Sequence, residues 1–105
     1  NWLNNEFYLT NNYKFKYNFH AFVIILKNNN REKFLKYLKK NNIKAVISYV
    51  PLHTSKAGRI YKKATDNLNN TSTLSKKIVR LPLHNHLSLK EIDYVCGKVK
   101  KYFTN

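Results

Sequence analysis

The longest uninterrupted apolar stretch is Phe19 to Leu26 (FHAFVIIL), broken only by His20. It is β-branched and aromatic with no alternation, which predicts a strand buried on both faces. Asn28-Asn29-Asn30 then reads as a loop, with Asn29 capping a helix and Glu32 returning the bond three residues on. In that helix Phe34, Leu35 and Leu38 recur at helical spacing and face inward, while Lys33, Lys36, Lys39 and Lys40 are solvated. Lys39 and Lys40 also lie where a helix C-terminus favours cations. Asn41-Asn42 ends the helix. Ile43 to Val50 (IKAVISYV) predicts a second strand, held extended at its end by Pro51. Strand, helix, strand with a short return predicts a split or crossover α/β unit.

The second half is more broken. A loop spans Pro51 to Ser55, a short helix Ala57 to Ala64, and a polar connection Asp66 to Thr71. Thr71 or Ser72 is placed to cap a further helix with Leu74 and Ile78 as its apolar points. Val79 to Leu83 is a short extended piece, and Pro82 restricts it to a sheet edge. The last helix carries the clearest signals. Ser88 and Glu91 have the spacing of a reciprocal cap, and Leu89, Ile92, Val95, Cys96, Val99 and Phe103 recur as an apolar stripe. The first 18 residues are irregular and polar, with Asn11-Asn12 as a turn, and the abrupt start suggests a fragment. No internal repeat and no second domain is visible.

At 105 residues and 43% apolar content, the chain suits one domain with a compact core. No apolar run reaches the length of a membrane-spanning helix. Residues 1 to 10 lack the basic start and apolar block of a signal peptide. The formal net charge is +15, from 20 Lys+Arg against 5 Asp+Glu. A pI near 10.0 invites a nucleic-acid reading. However, the same chain holds 16 Asn and is rich in Ile and Tyr, all with AT-rich codons, as Lys has. Drift in an AT-rich genome can therefore produce much of this charge without selection for phosphate binding.

Little stands out as independent catalytic chemistry. Glu32 and Glu91 are assigned to caps, Asp93 to a solvated helix face, and Glu6 and Asp66 to polar loops, so no carboxylate pair is suggested for acid–base work. His84-x-His86 brings two imidazoles close in sequence, but without a nearby cysteine or acid a zinc site is not supported. Cys96, the single cysteine, excludes an internal disulfide and reads as a small core residue of the last helix. Two glycines, Gly58 and Gly97, do not make a phosphate-binding loop.

The stretch Ser48-Tyr49-Val50-Pro51-Leu52-His53-Thr54-Ser55-Lys56-Ala57-Gly58-Arg59 is different. It leaves a predicted strand end and enters a short helix, where α/β proteins place ligands. A phenol, an imidazole, hydroxyls and a helix start together suit hydrogen bonding to a sugar or phosphate. An ordinary polar surface connection would read the same way.

This segment, AVISYVPLHTSKAG (Ala45 to Gly58), followed by VRLPLHNHLSLKEID and a final amphipathic helix, resembles the C-terminal part of the DegT/DnrJ/EryC1/StrS sugar-nucleotide transaminases. The resemblance covers about residues 19 to 103 and is most specific at Tyr49-Val50-Pro51-Leu52-His53 and Arg80-Leu81-Pro82-Leu83. It implies the small C-terminal domain of the aspartate-aminotransferase fold, an α/β (α+β) unit with a short sheet and flanking helices. Residues 19–105 would be that domain, and residues 1–18 the lead-in from a large domain not present here.

The family implies pyridoxal 5'-phosphate as cofactor, bound mainly by the large domain. It also implies glutamate and a nucleotide-linked keto-sugar as substrates, a cytoplasmic homodimer, and a fragment inactive on its own. Tyr49 and His53 match the family's Tyr-x-Pro-Leu-His pattern and are expected to be substrate-binding groups, with Ser55 a weaker third. Ser48 departs from the pattern, because many members carry His there. No residue of this chain is assigned a catalytic role, and no metal is expected.

Two other readings compete. A basic α/β module could bind nucleic acid with Phe15, Tyr17, Phe19 and Phe22 as a stacking face, although no glycine-aromatic RNA-binding motif is present. A remnant of a decayed gene could associate through apolar surface left where a large domain once packed.

Overall fold

A computed structural model describes residues 7–9, 20–28, 30–47, 49–61 and 68–104. Three strands, β1 (Phe7–Leu9), β2 (Phe22–Leu26) and β3 (Ile78–Leu81), form one sheet in the order β1-β2-β3. Both pairings are antiparallel: Phe7 lies opposite Leu26, and Ile24 opposite Val79. The helices are α1 (Arg31–Lys40), α2 (Lys56–Tyr61), α3 (Asn69–Ser75) and α4 (Leu89–Thr104), with a one-turn 3-10 helix at Leu52–Thr54. The chain is thus a small α+β domain, a short sheet with flanking helices.

The register explains the core. Side chains two apart on a strand share a face, so Ile24 and Leu26 join Phe7 and Val79 on one side of the sheet. All four are buried, together with Phe34 and Leu38 of α1, Ile43, and Val99 of α4. Phe34 is the hub. Its ring centroid lies 4.9 Å from Tyr102 and 5.2 Å from Phe103, and Phe103 stands 5.4 Å from Phe7. Two polar bonds tie α4 to the C-terminal half of α1 and its cap. The Tyr37 hydroxyl donates to the carbonyl of Lys98 at 3.1 Å, and that of Tyr94 to the carbonyl of Asn41 at 3.0 Å.

Several expectations are corrected. The central strand is not buried on both faces. Antiparallel sheets need cover on one side only, and here Val23 and Ile25 on the other side are half-exposed. The polar N-terminal region contributes a strand, β1, which a three-residue apolar run could not announce. The described residues of 43–50 form no strand. Among them Val46 alone pairs, through two backbone bonds with Arg80 of 3.0 and 2.8 Å, and that bridge is antiparallel, so the described residues form no parallel crossover unit. The third helix stops at Ser75, with Thr71 and Ser72 inside it, and Ile78 opens β3 instead.

The N-cap of α1 is Asn30, and its side chain makes no capping bond; Asn29 lies outside the described residues. Asn42 ends α1 with φ 59, a left-handed turn that asparagine tolerates. The reciprocal cap of α4 forms as expected. Ser88 N donates to Glu91 Oε2 at 2.7 Å, and Glu91 N to Ser88 Oγ at 3.2 Å. Those bonds hold the Glu91 carboxyl below its ordinary range, Ser88's backbone N–H first and its hydroxyl second, with His84 adding a smaller charge effect. Cys96 is exposed rather than in the core. The stripe that meets α1 and the sheet runs through Val95, Val99, Tyr102 and Phe103, and Cys96 lies one position round from it.

Candidate functional site

The segment from Tyr49 to Tyr61 leaves the bridge at Val46 and runs out over the surface. Tyr49 is 89% exposed, and Val50 and Leu52 are also exposed. Pro51, with φ −56 and ψ 136, turns the chain into the 3-10 helix. Its carbonyl collects bonds from Thr54 N at 3.0 Å, Ser55 N at 3.1 Å and the Thr54 hydroxyl at 3.0 Å. Ser55 then starts α2: its hydroxyl donates to the carbonyl of Leu52 at 2.7 Å and accepts from Gly58 N at 2.9 Å. That is an N-cap bond to the third helical residue.

The tightness of this turn depends on Gly58. A Cβ placed there would lie 1.5 Å from the carbonyl oxygen of Leu52, so no other residue fits without moving the backbone. One side-chain bond ties the turn to the rest of the domain: His53 Nε2 stands 2.8 Å from Ser72 Oγ on α3. Ser72 is 19 residues away and carries no local pattern linking it to His53. Gly58 was visible in the sequence as one of only two glycines, but not as the residue that lets helix and turn meet.

The three residues expected at the site therefore differ in their surroundings. Tyr49 presents its phenol to solvent and, among the described residues, makes no hydrogen bond. His53 is half-buried and shares one ring nitrogen with Ser72, which leaves the other nitrogen for a ligand. Ser55 is engaged by its own helix cap. No bond joins Tyr49 to His53 among the described residues; the structure places them four residues apart on one turn. A groove of about 540 Å³ lies elsewhere and is lined by Asn30, Arg31, Glu32, Lys33, Lys36 and Lys76. A second, about 350 Å³, lies between Ile43, Pro82 and α4. Tyr49, His53 and Ser55 line neither.

For other ligands the described residues offer less. No group of three or more His, Cys, Asp or Glu side chains is gathered for a metal among them; His84 and His86 are both exposed. No described helix is long and apolar enough to cross a membrane. Of the aromatic residues expected to form a nucleic-acid stacking face, Phe22 packs against the core instead, while Phe15, Tyr17 and Phe19 lie outside the described residues. Pyridoxal phosphate requires a lysine for its Schiff base, an acid at its pyridine nitrogen and a phosphate cup. No described lysine is buried: Lys27, Lys77 and Lys98 are half-buried and the others exposed, and Glu32, Glu91 and Asp93 are all exposed. The described residues do not by themselves form a cradle for that cofactor.

Comparison with known proteins gives a consistent result. The model of the DegT/DnrJ/EryC1/StrS aminotransferase family matches residues 3–100. A DegT DnrJ EryC1 StrS aminotransferase from Brucella abortus resembles the chain with a TM-score of 0.71 and 28% identity, over 81% of this chain and 22% of that one. Helicobacter pylori PseC, an aminotransferase involved in the biosynthesis of pseudoaminic acid, gives a TM-score of 0.71 and 20% identity, over 81% of this chain and 24% of that one. The chain thus spans less than a quarter of the length of either structure.

Proposed function

The chain belongs to the DegT/DnrJ/EryC1/StrS aminotransferase family, and we propose that it is the small C-terminal domain of a pyridoxal-phosphate-dependent sugar-nucleotide aminotransferase. The reaction moves an amino group from glutamate to a keto-sugar nucleotide of the dTDP-4-keto-6-deoxyhexose type, the activity of a dTDP-4-amino-4,6-dideoxygalactose transaminase. Residues 19–105 carry most of the domain, and Phe7–Leu9 of the preceding segment supplies its strand β1. The observation that carries this reading is the family match across residues 3–100.

The cofactor, when bound, relays the amino group between donor and acceptor. It is held by a large domain, because no described lysine or acid of this chain stands in an enclosed site. By itself this chain is inert. Its own contribution is on the substrate side. The Tyr49 hydroxyl, exposed and unengaged, and the ring nitrogen of His53 not turned to Ser72 offer hydrogen bonds to sugar hydroxyls. Ser55 acts mainly by holding the turn that presents them. The assembled enzyme is a cytoplasmic homodimer.

The test is to express the whole reading frame of the gene and record the absorbance band of bound pyridoxal phosphate and its bleaching by glutamate. Both are expected. Tyr49→Phe and His53→Ala should raise KM for the keto-sugar nucleotide and leave bleaching by glutamate unchanged. A purified whole polypeptide that takes up no cofactor would overturn the reading.

A further inference from the structure

Three grooves follow one another along the outer side of α1. The first, about 540 Å³, holds Arg31, Lys33, Lys36 and Lys76. The second, about 390 Å³, shares Lys36 with it and adds Lys39 and Lys44. The third, about 350 Å³, shares Asn42, Ile43 and Lys44 with the second and reaches Lys90 on α4. Together they form one trough, and α1 alone, with ten residues, accounts for about 15 Å of its length.

Compositional drift sets how many lysines a chain carries, not where they gather. These come from four parts of the fold: Lys33, Lys36 and Lys39 from α1, Lys44 from the segment after it, Lys76 from the end of α3 and Lys90 from the first turn of α4. All six are exposed, and none of their side chains has a hydrogen-bond or ion-pair partner among the described residues. Arg31 donates to the carbonyl of Ser75, which brings the end of α3, and Lys76 with it, against α1. Two acids, Glu32 and Glu91, line the trough as well, but the Glu91 carboxylate already accepts the Ser88 N–H at 2.7 Å. By contrast, the ten residues Val46 to Ser55 contain no Asp, Glu, Lys or Arg. Cations crowded without acids repel one another, and a polyanion laid along the trough removes that repulsion.

The third groove adds a different chemistry. Ile43, Pro82, Leu87 and Val95 make it apolar, and Tyr94, 47% exposed, forms one wall. The Tyr94 hydroxyl donates to the carbonyl of Asn41 at 3.0 Å, which fixes the ring in place. A cationic track that ends in an aromatic-walled hollow suits a single-stranded nucleic acid, whose phosphates are neutralised by lysines and whose unpaired bases stack on aromatic rings. An acidic peptide brings no base to the hollow.

We infer that the trough along α1 is a docking surface for single-stranded nucleic acid. Lys33, Lys36, Lys39 and Lys44 neutralise its phosphates and the Tyr94 hollow takes a base. This surface is distinct from the aromatic sheet face that the sequence suggests, and the inference does not depend on the family reading.

Fluorescence anisotropy of a labelled oligouridylate of about 15 nucleotides tests it, with the polypeptide encoded by the gene's whole reading frame as titrant. Affinity should fall steeply with salt, by about 0.7 in the logarithmic slope for each phosphate contacted. K36Q/K39Q/K44Q should reduce that slope by about 2. K56Q/K100Q/K101Q removes the same charge from three exposed lysines that line none of the three grooves, and should leave the slope unchanged. Tyr94→Leu should weaken binding roughly tenfold, whereas Tyr94→Phe, which keeps the ring, should not. Absence of salt-dependent binding overturns the inference. So do equal losses from the two triple variants, since net charge rather than the trough would then be the binder. A loss with phenylalanine as large as with leucine overturns the stacking role, because the bond to Asn41 and not the ring would be at issue. Poly-glutamate that displaces the oligonucleotide at equal charge concentration overturns the choice of partner and makes it an acidic peptide.

Discussion

The turn that presents Tyr49 and His53 is held to α3 by a single side-chain bond, and cutting it should loosen that turn and nothing else. Ser72→Ala removes the hydroxyl that stands 2.8 Å from His53 Nε2. A bond of this kind contributes about 1 kcal/mol net. Ser72 lies inside α3, and alanine is the better helix former, so the substitution does not weaken α3 directly. If the bond closes the turn, its loss raises the local opening equilibrium about fivefold, since about 1.4 kcal/mol is tenfold. Native-state hydrogen exchange reads this directly. The reporting amides are Ser55, which bonds Pro51 O at 3.1 Å, Gly58, which bonds Ser55 Oγ at 2.9 Å, and Arg59, which bonds Ser55 O at 2.9 Å. The reference amides are Leu26, bonded to Lys77 O at 3.0 Å, and Ile43, bonded to Leu38 O at 2.9 Å. The three reporters should accelerate together and the references stay unchanged. His53→Ala should reproduce the effect, and the double variant should add little to either single one, as expected for partners in one bond. Unchanged rates at all three reporters, or equal acceleration at Leu26, would refute the reasoning.

Four further outcomes follow from the packing and the titrating groups. Phe34→Ala empties the ring at the centre of the core and should cost about 3–5 kcal/mol, a large share of the roughly 5–15 kcal/mol available to a domain; the midpoint of urea unfolding measures it. Gly58→Ala forces Leu52 away from α2 and should cost about 1–3 kcal/mol, seen as faster exchange at Thr54 and Ser55 with the core amides unaltered. Glu91 is held below its ordinary pKa of 4.5, so its contribution is present above that value and lost as pH falls through the lower folded value; Glu91→Gln should remove this acid-side component from melting curves recorded down to pH 3. Tyr102 is shifted the other way, burial pushing its phenol above 10.0, so stability is retained below pH 10.0 and lost as pH rises through the folded value; Tyr102→Phe should flatten that alkaline loss.

The elements legible in the sequence were those whose signals are local. The cap of α4 needs only Ser88 and Glu91 three residues apart, and both of its bonds form. Helix α1 needs only the spacing of Phe34 and Leu38, both fully buried. The end of β3 follows from Pro82, which stands directly after Leu81 and has no N–H to continue the ladder. Non-local structure was not legible. Phe7–Leu9 is a strand because β2 offers a partner, and nothing in three residues says so. The apolar run from Ile43 to Val50 has the same look as β2, but among its described residues β3 pairs with Val46 alone. Periodicity cannot distinguish a strand buried within its own domain from a segment whose apolar side chains face outward.

That ambiguity also explains why the candidate site was half legible. Tyr49, His53 and Ser55 drew attention as a concentration of hydrogen-bonding side chains at the end of an apolar run, and they do occupy one turn. Their separate duties were invisible, because each depends on a neighbour brought by folding: Ser55 on Gly58 and Leu52, His53 on Ser72. Tyr49 meets no described hydrogen-bonding partner. A phenol 89% exposed, beside Val50 and Leu52 that are also exposed, gains no burial energy from this fold. The apolar residues from 46 to 61 likewise contribute little to the domain that carries them. Substituting them should therefore leave the unfolding of the 105-residue chain nearly unaltered.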